Sequence, residues 1–169
     1  DKSYPWICIK KERFPRVFLT RNVIKDGSEY FGPYTSIRTA KALLDLIKEY
    51  HSNGLTLVLA SSAAMTSINQ IFDRFDLNQY FVAKLSGGDL KESKPHPEIF
   101  TKAATASGFK RSECLVIEDS TNGIKAAYDA GIYCIGYDSL NSKNQDYSLA
   151  NKVVSNFNEI PFNKVKDLF

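Results

Sequence analysis

Cys114-Leu-Val-Ile-Glu118-Asp119-Ser120-Thr-Asn122-Gly123-Ile124 is the stretch on which the reading of this chain turns. The aliphatic run before Glu118 has the length and composition of a strand buried on both faces. Two adjacent carboxylates emerge where that run stops. Paired oxygen ligands at a strand end suit a hard cation such as magnesium, which keeps several waters and shares the phosphate of a substrate.

Two stretches upstream have the same strand-then-helix grammar. Leu55-Thr-Leu-Val-Leu-Ala60 reads as a buried strand, followed by Ser61-Ser62 and a predicted helix over 63–75. Open α/β sheets bind ligands at the carboxyl ends of strands, and helix N-termini attract anions, so a hydroxyl at Ser61 is suited to a phosphate oxygen. Phe81-Val-Ala-Lys-Leu-Ser86 reads as a further strand, ending in a Gly87-Gly88 turn. Beyond it, Ser93-Lys94-Pro95-His96-Pro97-Glu98 puts a lysine on a chain stiffened by two prolines ahead of a predicted helix over 98–107. A lysine held in that way is a point charge matched to phosphate. Each motif also has a plainer reading: Ser61 as a helix cap, Lys94 as a surface charge, and Glu118-Asp119 as a carboxylate pair that favours a helix dipole.

The order Leu59-Ala-Ser61, Ser93-Lys-Pro-His-Pro-Glu98 and Val116-Ile-Glu-Asp-Ser-x-x-Gly-Ile124-x-Ala-Ala127, ending in Ala130-Gly131, resembles the haloacid dehalogenase (HAD) superfamily in its β-phosphoglucomutase-like branch. The resemblance spans residues 48–169. It implies magnesium-dependent phosphoryl transfer on a small phosphorylated metabolite. Carried over by position, Ser61 and Lys94 would bind the phosphoryl group, Lys94 would be the catalytic lysine, and Glu118 with Asp119 would hold Mg2+.

That family also places an Asp-x-Asp-Gly motif after its first, central strand, the first aspartate being the nucleophile and the second the general acid/base. No Asp-x-Asp occurs in this sequence. The nearest approach is Asp26-Gly27-Ser28, where Asp-Gly is first of all a turn signal. Asp73 and Asp76 stand at helical spacing. The helical cap that this branch uses to choose its substrate is missing too. The expectation is therefore a protein of this family that is inactive for lack of its nucleophile.

Residues 1–48 resemble something else. Tyr4-Pro-Trp-Ile-Cys-Ile-Lys10, Arg13-Phe-Pro-Arg-Val-Phe18 and Lys25-Asp-Gly-Ser-Glu-Tyr-Phe-Gly-Pro-Tyr-Thr-Ser36 are similar to the end of the GIY-YIG nuclease domain in the C subunit of the UvrABC excision nuclease. The catalytic residues of that domain lie upstream of the matching part. By pattern alone, residues 4–10 and 16–20 alternate like two strands, and residues 37–50 form an amphipathic helix. The two resemblances meet in Leu43-Leu-Asp-Leu-Ile-Lys-Glu-Tyr50, an apolar octet that fits a helix of either family. A chimera of two gene pieces is the expected origin, with domains at 1–48 and 49–169.

Charge divides along the same line. Residues 1–50 contain ten Lys/Arg and six Asp/Glu, whereas residues 51–169 contain twelve and thirteen. Cations at Lys10, Lys11, Arg13, Arg16, Arg21 and Lys25 interleave with Trp6, Phe14 and Phe18. Residues 10–25 could thus bind nucleic acid weakly as a non-catalytic fragment, or they could simply be a solvated face. A chimera with no selected function is the third alternative. No apolar run reaches membrane-spanning length and no signal peptide opens the sequence, which predicts a cytoplasmic protein. Cys8, Cys114 and Cys134, odd in number and widely spaced, read as reduced thiols.

Further strands over 132–136 and 152–155 and a helix over 162–169 complete the expectation: an α/β fold with an incomplete HAD-like, Rossmannoid parallel sheet, helices on both faces, and a small β-hairpin plus helix before it. The absent central strand would leave the strands at Leu57 and Val116 without a shared neighbour, a place that residues 16–20 could fill.

Overall fold

The computed structural model describes residues 6–10, 16–20, 29–31, 37–138 and 142–168. The chain divides into two compact units, Asp1–Lys41 and Ala42–Phe169.

The first unit carries an antiparallel sheet in which β1 (Trp6–Lys10) lies between β2 (Arg16–Thr20) and β3 (Glu29–Phe31). Trp6 pairs with Thr20 and Lys10 with Arg16, while Ile7 pairs with Phe31 on the other edge. The third strand was not legible in the residue pattern, because only four residues separate Gly27 and Gly32 in the sequence. β2 pairs with β1, so residues 16–20 do not serve as the shared neighbour of the strands at Leu57 and Val116. Asp26-Gly27 and the cations at residues 11–15 and 21–25 lie outside the described residues.

Helix α1 (Ile37–Ser52) runs across the division between the units. Its later part belongs to the second unit, where Leu46 and Tyr50 are buried. The Tyr50 hydroxyl donates to the Ile160 carbonyl at 2.6 Å, and the Glu49 carboxylate accepts the backbone N–H of Phe162 at 3.0 Å.

The second unit repeats strand and helix: β4 (Leu57–Ser61), α2 (Met65–Arg74), β5 (Phe81–Ser86), α3 (Glu98–Ser107), β6 (Leu115–Glu118), α4 (Thr121–Asp129), β7 (Tyr133–Tyr137), β8 (Lys152–Val154) and α5 (Phe162–Val165). Helix α3 ends at Gly108, whose φ of 82° is the left-handed conformation a helix terminus takes most easily with glycine. All the strand pairs of this unit are parallel, and they form two sheets, β4-β5 and β6-β7-β8. Among the described residues no strand pairs with the second edge of β4 or of β6.

Side-chain alternation nevertheless gives the two sheets the same two cores. Ala60, Val116 and Cys134 pack with α3 and α4, around Ile99, Phe100, Ile124 and Ala127. Leu57, Leu115, Ile117 and Ile135 pack on the opposite side with Leu46, Tyr50, Ile160 and Val165. Period-two alternation sends neighbouring residues of one strand to opposite faces, so a parallel strand must find apolar cover on both. The result is the three-layer α/β architecture expected from the sequence, divided between two sheets. Among the described residues no helix is long and apolar enough to cross a membrane.

Candidate functional site

The carboxyl ends of β4 and β6 carry the residues singled out by sequence. Ser61 closes β4, and its Oγ accepts the backbone N–H of Ala63 at 3.1 Å. Helix α2 starts only at Met65 after an Ala64 that makes no side-chain cap bond, so the hydroxyl orders the turn before the helix rather than the helix itself. That turn is held from β5 as well. Buried Ser86 donates through Oγ to the Ala63 carbonyl at 2.8 Å and accepts from the Gly88 N–H at 3.2 Å. A Cβ on Gly87 would come within 3.2 Å of the Ser62 Cα, a tight contact where the two strand ends approach.

Lys94 reaches this region from the loop between β5 and α3. Its Nζ donates to Glu118 Oε2 at 2.7 Å and to the Ala60 carbonyl at 3.3 Å, and it lies 4.8 Å from the centre of the Phe100 ring. The side chains of the Lys94–Glu118 pair are only 9% and 10% exposed. A cation over an aromatic face in a partly dry site is favourable, and one ammonium thereby joins the end of β4 to the end of β6. Glu98 anchors the lysine's loop: its carboxylate binds Lys102 at 2.7 Å and the Glu92 N–H at 2.9 Å. Those bonds, the Lys102 contact foremost, hold its carboxyl down at about 2.

Glu118 is held just as firmly from its own strand end. Its Oε1 accepts the backbone N–H groups of Asp119 (3.2 Å) and Ser120 (3.1 Å) and the Ser120 hydroxyl (2.8 Å). Ser120 also caps α4 by accepting the Gly123 N–H at 3.1 Å. A Cβ on Gly123 would overlap the Glu118 carboxyl carbon, so this glycine makes the seat into which the carboxylate folds. Asp119 points elsewhere; it is exposed, and its Oδ2 accepts the hydroxyl of Ser142 at 2.6 Å.

Oxygen bookkeeping decides how well this arrangement fits magnesium. An ionised carboxylate offers about four lone-pair directions, and Asp119 N, Ser120 N, Ser120 Oγ and Lys94 Nζ already converge on Glu118. As folded, three donors crowd Oε1 and Lys94 takes one direction of Oε2, while exposed Asp119 accepts Ser142 on one oxygen. Among the described residues no group of three or more His, Cys, Asp or Glu side chains could hold a metal ion. A cation shared by both carboxylates would have to use Glu118 Oε2 beside the Lys94 ammonium, which repels it, so the arrangement as folded fits such a cation poorly.

Sequence reasoning missed Ser86, Ser120, Ser142 and the Ala60 carbonyl. A serine immediately after the carboxylate pair and three residues before a glycine was the one available signal, for Ser120. A cavity of about 680 Å3 lies elsewhere, where α3 and α4 end, lined by Phe109, Lys110, Arg111 and Tyr128 among others, and it contains none of the four predicted site residues.

The model of the haloacid dehalogenase-like hydrolase family matches residues 24–131. The chain belongs to this family. Solved structures of similar fold include a putative β-phosphoglucomutase from Thermotoga maritima, 28% identical with a TM-score of 0.64, over 76% of this chain and 60% of that one. A β-phosphoglucomutase from Clostridium difficile is 26% identical with a TM-score of 0.64, over 75% of this chain and 54% of the other. CbbY from Rhodobacter sphaeroides, crystallised with phosphate, is 24% identical with a TM-score of 0.66, over 70% of this chain and 54% of its own, a likeness of fold alone. The HAD-like chain thus spans little more than half the length of these structures. A second similarity covers a short segment. UvrABC system protein C of Christiangramia forsetii is 75% identical over 48 residues, 28% of this chain and 8% of that protein. The protein of Flavobacterium johnsoniae is 69% identical over 51 residues, again 8% of its length. One chain thus matches the HAD-like family model and, over a short segment, UvrABC system protein C, which supports a chimeric origin.

Proposed function

We propose that residues 49–169 form a phosphate-binding site of HAD type for a small phosphorylated metabolite, without turnover by the family route. The observation that carries this reading is the Lys94 ammonium between the ends of β4 and β6, bonded to the carbonyl of Ala60, the residue before Ser61. Lys94 supplies the charge for a phosphate, and Ser61 with the backbone around it supplies hydrogen bonds. Of the acidic pair, exposed Asp119 has the more room for magnesium, and Glu118 would offer it Oε2, beside the Lys94 ammonium. The sequence contains no Asp-x-Asp, the motif that supplies the family's nucleophile, and loss of a nucleophile removes many orders of magnitude in rate.

Thermal unfolding with inorganic phosphate tests the reading. At about ten times Kd, a ligand that binds only the folded state contributes about 1.4 kcal/mol, which raises the midpoint by several degrees. The rise is expected in the native chain and absent in Lys94→Met. No phosphate release from a phosphomonoester is expected, with or without magnesium. Release that disappears in Lys94→Met would overturn the inactive reading.

The strong identity of the amino-terminal segment to UvrABC system protein C favours a second reading, weak nucleic-acid binding through residues 10–25. It predicts salt-dependent DNA binding that weakens in Arg13→Ala and Arg16→Ala. The two pieces would join within residues 43–50 in a cytoplasmic protein.

A further inference from the structure

We infer that Glu118 is the resident anion of this site, an internal counter-ion that occupies Lys94 and holds back the binding of any external phosphate. The inference rests on the reading of Lys94 as the phosphate-binding cation. Three donors hold Oε1 at the start of α4, and Gly123 leaves space for the carboxylate, so swinging away when another anion arrives would break three hydrogen bonds. Its Oε2 is thereby held 2.7 Å from the Lys94 ammonium, in a pair that is about nine-tenths buried. The remaining contacts of that ammonium are the Ala60 carbonyl and the Phe100 ring, so an incoming phosphate meets a cation already bonded and a like charge beside it. Like charges at close range in a partly dry site oppose one another far more than in water.

This assigns Glu118 a role of opposite sign to that of a metal ligand or a helpful orienter of Lys94. The sign is measurable with inorganic phosphate in EDTA, its Kd being followed by calorimetry in the full chain. Glu118→Gln keeps the length and an oxygen for the α4 donors but removes the charge. Phosphate should bind at least about tenfold more tightly to it than to the native chain. Glu118→Asp keeps the charge but is too short to hold both α4 and Lys94, and it should also bind more tightly, by a smaller factor. It decides the matter if Glu118→Gln does not fold. Lys94→Met should abolish binding in every background. Binding that is unchanged or weaker in both Glu118 variants would overturn the counter-ion role and leave the phosphate site standing. Absence of binding in all variants would instead remove the phosphate site itself, and the inference with it.

Discussion

Strand β7 and strand β4 are both short, apolar and parallel to their neighbours, yet they end in different environments. β7 has a partner on each edge, and Cys134, Ile135 and Gly136 are all buried. Among the described residues β4 has a partner only in β5, and each of its five residues is half-buried. Both strands contribute to the same two cores, so cover from the helices does not explain the contrast. What differs is the lateral neighbour. A parallel strand becomes dry only when its edges as well as its faces are closed, because an open edge exposes both ladder groups and the flanks of its side chains.

Core truncation should break the comparison most plainly. Ile135 is fully buried, and Ile135→Ala should cost about 2–5 kcal/mol in urea unfolding. Leu57, half-buried on β4 against the same core, should cost clearly less on Leu57→Ala. Equal losses would mean that the open edge of β4 is closed in solution.

A smaller effect follows from Lys94, which joins the ends of β4 and β6. Lys94→Met removes its bonds to the Ala60 carbonyl and to Glu118, and it leaves a nearly buried carboxylate with only its α4 donors. The expected loss is on the order of 1–3 kcal/mol, below the figure for a fully buried pair because three donors remain on Glu118. Glu118→Gln in the Lys94→Met background should recover part of that loss, since the uncompensated charge is then gone. Additive losses in the double variant would show that the two groups do not interact in solution.

The smallest effect sharpens the picture of β7. Burial, and after it the negative charge of Glu118, pushes the Cys134 thiol up from 9.0 to about 12. Between those values the unfolded chain loses the proton and the folded chain keeps it, so stability falls as pH rises through that window. Tyr50 adds to the fall in the same direction, raised first by burial and then by Glu49. The alkaline slope of the unfolding free energy should be shallower in Cys134→Ala. The Cys134 thiol should also react with a thiol reagent far more slowly than half-buried Cys114.

Most elements of the second unit were legible because their residue types and punctuation agree. Pro97 and Gly108 bracket α3, and its predicted range of 98–107 is the range it has. The runs at 81–86 and 152–154 are strands where aliphatic residues stand together. Helix α2 starts two residues later than expected because Ser61 spends its oxygen on the turn at Ala63. For the site, Ser61, Lys94, Glu118 and Asp119 could be named from motif order, but their bonding could not. Asp119 turns to Ser142, 23 positions away, and Glu118 to its own helix and to Lys94.

The sequence by itself determined the α/β order, the family and the presence of a second resemblance at the amino terminus, because periodicity, turn residues and motif order are local properties of the chain. Only the tertiary structure decided that the parallel strands divide into two sheets and that Lys94 spans their ends. It alone decided that four donors converge on Glu118 while Asp119 stays exposed with Ser142 beside it. Each of these depends on where residues 23 to 34 positions apart come to rest. A carboxylate's capacity to bind a cation or repel an anion is set by the donors that reach it in space, and those donors are not its neighbours in sequence alone.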